Sequence, residues 1–498
     1  MCCLDHGLSR RGFVALSSAG AVRLPELAAS DSWDPERPFR KWQKPLRVRP
    51  VLLYAAPVPK KQTSWKSWGG VLSESAAVEE LGRIAKEWEA LQKKAEFPLE
   101  VLPGVKAASV EAAQALPREG EDTRVVYPAA GGGAMLRAAI GEQGDALIFV
   151  RHRSGPVYYW YEALSTRYLR KTDVPLGAEG TPRMSVNDVV VDDPQELLWR
   201  LRAICGLKTF LGTKMLALGG PWGKYAPEAP QVAREKFGLQ IIDDGYDDFE
   251  KRITSALKDQ GRVAQAQSWT ERFLKMPGTR LETERSFVVN AFVLYGVLKE
   301  LIKEHGADTF TIKSCMGTIL PMAQTTACLT LGLLNDEGIP AFCESDFVVI
   351  PPCLLLRAVS GRPVFMHNST FPHNGVVTCA HCAAPRRMDG VRYEPVRVLT
   401  HYESEYGAAP KVDVPVGQEV TFVNPEYATC RWVGMKGVVE GNPFLPICRS
   451  QQDVKISGDW RKLLDEVRDS HWAMAYGDWL KECGFAAARA GVRWESIA

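Results

Sequence analysis

Residues 214–225 read KMLALGGPWGKY, and residues 235–253 read EKFGLQIIDDGYDDFEKRI. The first stretch is an apolar, strand-like run that stops at two glycines. The second stretch reads as a helix end, a strand and a further helix. Strands that alternate with helices form parallel sheets, because a parallel pair needs a long crossover connection that is usually a helix. We therefore predict a middle α/β domain, bounded at residues 205–355.

The same alternation extends on both sides of these stretches. Residues 286–306 predict a long amphipathic helix, and strand-like runs follow at residues 309–315 and 339–346. Towards the N-terminus, a comparable series of strands, helices and a glycine-rich turn begins at residue 48. This series predicts an N-terminal α/β domain over residues 48–204.

Beyond about residue 360 the sequence becomes rich in β-branched residues and turns. The segments GRPVFMHN (361–368), GVVTCAHC (375–382) and RWVGMKGVV (431–439) are typical of antiparallel strands, which we expect to form a small barrel. We predict a C-terminal β domain over residues 356–498, with a terminal helix that begins at His471. The predicted fold class is α/β, with two α/β domains followed by a mainly β, barrel-containing domain.

The composition argues against several classes of protein. A chain of 498 residues is too long for one hydrophobic core, so several domains are expected. Hydrophobic residues at 46% and charged residues at 24% are ordinary for a soluble globular protein. The net charge is only +2 and no long basic run occurs, so we expect no nucleic-acid partner. No apolar stretch reaches the roughly 18 to 20 residues of a membrane span, so no membrane partner is expected either.

The N-terminus has the features of an export signal. Arg10 and Arg11 precede a short apolar segment at residues 13–22, an arrangement typical of twin-arginine signals. We interpret residues 1–30 as such a signal, which implies a periplasmic or otherwise exported protein, and residues 31–47 as a charged linker. The alternative is an ordinary leader with two arginines by chance, in which case the protein is cytoplasmic.

The side chains that could carry chemistry gather near the junction of the middle and C-terminal domains. Glu344 and Asp346 follow a strand-like run, and ligands of open parallel sheets bind at the carboxyl ends of strands. Two residues apart on an extended chain, their side chains point to the same face. The polar residues in or beside the later elements are His367, Asn368, His381, His401 and His471. Carboxylates and imidazoles together favour a divalent metal, although any single histidine is more often a core or surface residue.

Several segments, taken in order, resemble the L-fucose and L-arabinose isomerase superfamily, and most of all its fucose-isomerase-like members. They are residues 216–253, TACLTLGLLNDEGIPAFCESD (326–346), LLLRAVSGRPVF (354–365), GVVTCAHCAAP (375–385) and SHWAMAYGD (470–478). The resemblance covers about residues 205–485. It implies two Rossmann-like α/β domains, a C-terminal domain with a β-barrel, and a homo-oligomer, trimeric or hexameric, whose active site is built between subunits.

The resemblance also implies a reaction and its ligands. The family interconverts aldoses and ketoses through an enediol with a divalent metal, usually Mn²⁺. Glu344 occupies the position of the family's glutamate, which is both a metal ligand and the acid/base, and His471 occupies that of the histidine ligand. The family's aspartate ligand is missing, because the segment VFMHNST places His367 or Asn368 there.

These inferences combine into one predicted site. Asp346 is the predicted replacement for the missing base and, with Glu344, is assigned a catalytic role. The predicted metal ligands are Glu344, His367, Asn368 and His471. The predicted substrate-binding residues are His381, His401 and Trp68, the last because aromatic rings can stack on sugar faces. Clustered aromatic residues are otherwise core or interface residues.

The predicted function is a metal-dependent isomerase that acts on a small carbohydrate. Two alternatives stay open at this point. One is a non-catalytic sugar-binding protein that keeps the fold, and the other is a metal-dependent sugar lyase or epimerase.

Overall fold

The computed structural model describes residues 33–141, 146–158, 164, 168–171, 174, 183–426, 430–466 and 469–497. The chain forms two compact units: one contains residues 44–205, and the other contains residues 33–43 and those from 206 onwards. The predicted export signal lies outside the described residues. None of the described helices is by itself long and apolar enough to cross a membrane. One pair of helices, bent by 90° at the break between them, would be long and apolar enough together, by length and composition only: Cys315–Ala323 with Cys328–Glu337.

The first unit is built on a six-stranded parallel sheet. In chain order its elements are β1 (Leu46–Leu53), α1 (Glu74–Lys94), β2 (Leu99–Val101), β3 (Val105–Ala107), α2 (Val110–Gln114), β4 (Thr123–Pro128), α3 (Gly133–Ile140), β5 (Ala146–Val150), β6 (Val189–Val191) and α4 (Pro194–Phe210). The strand order is β2-β1-β4-β5-β6, and β3 also pairs with β1. Every pairing is parallel, as the alternation of strands and helices predicts.

The second unit begins with a four-stranded parallel sheet. Its elements are β7 (Lys214–Leu218), α5 (Ala229–Phe237), β8 (Gln240–Asp244), α6 (Tyr246–Lys258), α7 (Gln260–Lys275), β9 (Thr279–Leu281), α8 (Arg285–Glu304), β10 (Thr309–Ile312), α9 (Leu320–Ala323), α10 (Cys328–Glu337), β11 (Ala341–Cys343) and α11 (Ile350–Ser360). The strand order is β11-β10-β7-β8, and all pairings are parallel. Helix α11 is buried along its whole length and packs against the following β region.

The rest of the second unit contains a closed barrel. Its elements are β12 (Phe365–Ser369), β13 (Val376–His381), β14 (Val396–Leu399), β15 (Ala409–Val412), β16 (Glu419–Pro425), β17 (Arg431–Gly441), β18 (Ser450–Ile456), α12 (Trp460–Glu466), β19 (His471–Tyr476), α13 (Leu480–Arg489) and β20 (Arg493–Ile497). Six antiparallel strands close in the order β16-β19-β12-β13-β18-β17 and back to β16. The predicted barrel is confirmed, while β14 pairs with both β15 and β9 in a separate three-stranded sheet.

The prediction that His471 begins a terminal helix is wrong. Residues His471–Tyr476 form barrel strand β19, and the helix α13 begins only at Leu480. The segment HWAMAY contains alanine and methionine, which favour helices, but β19 is paired on both sides, with β12 and β16. Tertiary pairing therefore overrides the local preference.

Residues 33–43 of the predicted linker belong to the second unit, whereas its last residues, Leu46 and Arg47, begin strand β1 of the first unit. Residues 33–43 contain no helix or strand, yet Trp33 and Trp42 are buried. The Trp33 ring lies 5.0 Å from that of Phe292 in an edge-on contact. The second unit holds the predicted middle and C-terminal domains in one compact body, and the domain boundary at residue 355 stays a prediction.

Candidate metal centre

Glu344 lies directly after β11, at the carboxyl edge of the second parallel sheet. Glu344 and Ser345 both adopt left-handed backbone angles, with φ of 66° and 51°. Such angles are costly for residues with a side chain, and they persist where the surroundings enforce them, often at functional sites. Here the enforcing partner is Trp222, whose backbone N–H donates to the Ser345 carbonyl at 3.2 Å and whose indole N–H donates to the Glu344 carbonyl.

The turn brings Glu344 to two histidines of the barrel. The ligand atoms of Glu344, His381 and His471 all lie within 4.8 Å of one another, close enough to share one metal ion. Oε1 of Glu344 is 3.5 Å from Nε2 of His381, and Oε2 is 3.4 Å from Nε2 of His471. The Glu344 side chain is 34% exposed, whereas both histidines are buried. The group is thus open to solvent on the side of the carboxylate.

The hydrogen bonds of His471 fix which nitrogen faces Glu344. Nδ1–H of His471 donates to Oδ2 of Asp346 at 2.8 Å, so the lone pair of the neutral ring is on Nε2. Nε2 and the Glu344 carboxylate are then two acceptors that face each other, and they need a cation between them. Burial lowers the pKa of His471, but Asp346 and Glu344 outweigh burial and raise it to about 9. In the metal-free protein a proton is that cation, and a bound metal would displace it.

The charge on Glu344 is also stabilised by its neighbours. Burial would raise the pKa of this carboxyl group, but the hydrogen bonds and charges of His381 and His471 hold the pKa well below its usual range. Glu344 is therefore ionised at neutral pH and able to act as a metal ligand.

Several imidazole nitrogens around this group have no hydrogen-bond partner among the described residues. They are Nε2 of His367, Nδ1 of His381 and Nδ1 of His401. A buried polar atom without a partner costs roughly 1–3 kcal/mol, and a bound ion or ligand is a common partner for such atoms. Two imidazoles and one carboxylate form a donor set that suits Mn²⁺, Fe²⁺ and Zn²⁺ alike.

The position of Asp346 conflicts with its predicted role as a catalytic base. Its side chain is fully buried, and Oδ1 accepts the backbone N–H groups of Lys224 at 3.0 Å and Val348 at 3.1 Å. Since Oδ2 is occupied by His471, neither oxygen faces a substrate. The prediction that Glu344 and Asp346 point to the same face assumed an extended chain. Glu344 and Ser345 are left-handed instead, so the two side chains do not share a face. They contact opposite nitrogens of the same imidazole ring.

The predicted ligand His367 is not part of the group. Its ring packs among Phe365, Phe422 and Trp472, with centroid distances of 5.3, 5.6 and 6.2 Å. Burial lowers the pKa of His367 to about 3, so the ring stays neutral. Asn368 pairs directly opposite His471 across β12 and β19, and such pairs share a face of the sheet. Asn368 therefore stays a predicted ligand beside His471.

His381 is a predicted substrate-binding residue, and it lies in the group of side chains that could hold a metal ion. The signal that could have identified it is its position as the last residue of strand β13, where the barrel meets the turn that carries Glu344. Carboxyl ends of strands are frequent ligand sites, but which strands meet there depends on the barrel closure, which a single sequence does not reveal.

His401 lies near His381, and Trp68 belongs to the other compact unit. Arg449 joins the two histidine segments, since its side chain donates to the Thr400 carbonyl at 2.7 Å and its backbone N–H to Cys382 Sγ at 3.4 Å. Burial lowers the pKa of His401. Trp68 is 72% exposed, and its role in sugar binding stays a prediction.

No protein-family model matches this chain, and no curated protein matches it either. The site itself offers three side chains that could hold a metal ion, one of them an ionised and partly exposed carboxylate. A buried Asp346 lies behind one of the two histidines.

Proposed function

We propose that this protein is a metal-dependent carbohydrate isomerase, or a close relative, that interconverts an aldose and a ketose through an enediolate. The observation that carries the proposal is the convergence of Glu344, His381 and His471 within 4.8 Å at the carboxyl edge of a parallel sheet. This is where open α/β sheets bind ligands. Mn²⁺ is the metal we propose, and the resemblance to the L-fucose and L-arabinose isomerase superfamily supports that choice.

Each residue of the site has a proposed task. His381 and His471 hold the metal, which when bound polarises the oxygens of an open-chain sugar. Glu344 is a ligand and also moves the proton between the two reacting carbons, because Asp346 is buried and fully hydrogen-bonded while Glu344 stays partly exposed. Proton transfer of this kind requires a carboxylate within hydrogen-bond reach of the substrate.

The finer features of the architecture belong to the same proposal. We propose that both parallel sheets are Rossmann-like, which the order β11-β10-β7-β8 supports, since the first strand of the unit lies in the interior of the sheet. We further propose that the protein is exported and forms a homo-oligomer, as the twin arginines and the family resemblance imply.

The test measures metal content first and hydrogen exchange second. Purified protein is analysed by elemental mass spectrometry, reconstituted with Mn²⁺, and incubated with aldoses and ketoses in D₂O. We expect near-stoichiometric metal and solvent deuterium at the carbon beside the carbonyl, because an enediolate exchanges that hydrogen. Glu344→Gln should abolish the exchange. The matched control is Glu282→Gln, since the Glu282 side chain is 36% exposed and pairs with Arg397 rather than with a histidine.

The other results distinguish the alternatives. Metal binding without deuterium exchange for any sugar would favour a sugar-binding protein, and the absence of bound metal after reconstitution would contradict the proposed function.

The donor set itself favours one further candidate function, because two histidines and one carboxylate with open positions are typical of non-haem iron oxygenases. Oxygen consumption by the iron-loaded protein would support that reading over isomerisation.

A further inference from the structure

We propose that Asp346 is a positioning residue that sets the tautomer of His471 and thereby makes Nε2 a metal ligand. The inference rests on the proposed function, because it assigns a role behind one of the proposed ligands. It also gives a task to a buried carboxylate for which the sequence predicts a role in proton transfer.

Asp346 and His471 are in direct contact. Oδ2 of Asp346 accepts the Nδ1–H of His471 at 2.8 Å, and both side chains are 0% exposed. A neutral imidazole carries one proton, so a proton held on Nδ1 leaves the lone pair on Nε2. Nε2 is the atom that lies 3.4 Å from Glu344. A carboxylate behind a metal-ligating histidine orients the ring and makes it a better ligand.

The carboxylate of Asp346 is held in one orientation by the backbone. Its Oδ1 accepts two backbone N–H groups from different segments, Lys224 at 3.0 Å and Val348 at 3.1 Å. Because both backbone donors bind Oδ1, Oδ2 is the oxygen that faces His471. The orientation of the carboxylate is therefore set by the backbone and not by the histidine.

One segment, the turn after β7, contacts the backbone of both Glu344 and Asp346. Trp222 forms a parallel bridge with Asp346, its carbonyl accepts the Phe347 N–H at 2.9 Å, and its indole N–H donates to the Glu344 carbonyl. The turn before it needs glycine, because Gly219 has φ of 82° and an added Cβ would lie 2.4 Å from the Tyr246 ring. The turn after β7 thus fixes Glu344 and Asp346 together.

The decisive variant is Asp346→Asn. The two backbone donors keep the amide oxygen on their side, so the amide NH₂ faces His471 and donates to Nδ1. The ring proton then moves to Nε2, which loses its lone pair for the metal. We expect the dissociation constant for Mn²⁺, measured by titration calorimetry, to rise about 10- to 100-fold. Pulsed EPR of the Mn²⁺-loaded protein should count two imidazole ligands in the wild type and one in the variant.

The matched control is Asp336→Asn. Asp336 is buried, and one of its oxygens also accepts two backbone N–H groups, those of Arg386 and Arg387, each at 2.8 Å. No described histidine contacts its carboxylate. This variant should retain both imidazole ligands and the wild-type affinity for Mn²⁺. An equal loss of affinity in both variants would overturn the proposal, because it would mean that any buried carboxylate of this kind is needed.

The outcomes separate this inference from the proposed function. An Asp346→Asn protein that binds Mn²⁺ as tightly as the wild type, through two imidazoles, overturns the positioning role alone. A wild type that binds no Mn²⁺ overturns the proposed function and this role with it. If the variant does not fold, ¹⁵N NMR of histidine-labelled, Zn²⁺-loaded wild type decides the matter. Coordination of His471 through Nε2 with Nδ1–H retained supports the role, and coordination through Nδ1 overturns it.

Discussion

The Nδ1 atom of His471 lies 2.8 Å from Oδ2 of Asp346, and neither side chain is exposed. On the other side of the same ring, Nε2 lies 3.4 Å from Glu344. Two carboxylates only two residues apart in sequence therefore take different positions around one imidazole. One is buried and fully hydrogen-bonded, and the other is partly exposed and free to meet a ligand.

The geometry predicts that His381, and not His367, holds the metal. His381→Ala should weaken Mn²⁺ binding at least about 100-fold, because it removes a ligand. Removing a residue that only hydrogen-bonds to a ligand usually costs less than this. His367→Ala should leave Mn²⁺ affinity unchanged but lower the free energy of unfolding by about 2–4 kcal/mol, because it opens a cavity among aromatic rings. Titration calorimetry and urea denaturation of the two variants check this. The reverse pattern would restore the ligand set expected from the sequence.

Trp222 should contribute to the site through its indole N–H. Trp222→Phe keeps an aromatic ring and the backbone bonds but removes the donor to the Glu344 carbonyl. A single hydrogen bond contributes about 0.5–1.5 kcal/mol, so Mn²⁺ affinity should fall by about two- to tenfold. Calorimetric titration measures this fall, with unchanged circular dichroism as the control. A loss comparable to that of His381→Ala would mean that the turn itself has collapsed.

Stability should depend on pH through Asp336. Burial raises the pKa of this carboxyl group to about 7, although nearby N–H groups and arginines lower it, while the unfolded value is about 3.9. The folded protein therefore binds the proton more tightly, and its stability falls as the pH rises from about 4 to 7, by at most about 1.4 kcal/mol per pH unit. Asp336→Asn should flatten the pH dependence between pH 5 and 7 in urea denaturation. Parallel curves for the variant and the wild type would contradict this.

The first unit should depend on a buried ion pair. Arg151 and Glu80 lie 2.6 Å apart with side chains 1% and 2% exposed, and Tyr158 also donates to Glu80. Glu80→Gln leaves Arg151 with Glu87 as its remaining carboxylate, at 2.8 Å, so the unfolding free energy should fall by about 2–4 kcal/mol. The matched variant Glu87→Gln should cost less, since Glu87 is 27% exposed. Denaturant titrations compare the two variants, and equal losses would argue against the role of burial.

Much of the framework could be predicted from the sequence. The alternation of apolar runs with amphipathic segments predicts parallel sheets, and the β-branched, turn-rich segments after residue 360 predict the barrel. These patterns depend on the local periodicity of burial, which is 3.6 residues in a helix and two in a strand, so a single chain displays them. The sequence also indicates Glu344, from its place after a strand-like run, and His471, from the resemblance to the family's histidine ligand.

By itself, then, the sequence determined the α/β alternation, the β-rich region after residue 360 and two members of the group that could hold a metal ion. Only the tertiary structure decided that His471 lies in a strand, that His381 joins Glu344 and that Asp346 stands behind His471. Barrel closure brings residues 344, 381 and 471 together across long separations in sequence. The left-handed turn at Glu344 and Ser345 is enforced by Trp222, more than a hundred residues away along the chain. Contacts of this range depend on how the whole chain packs, and no local pattern of residues encodes them.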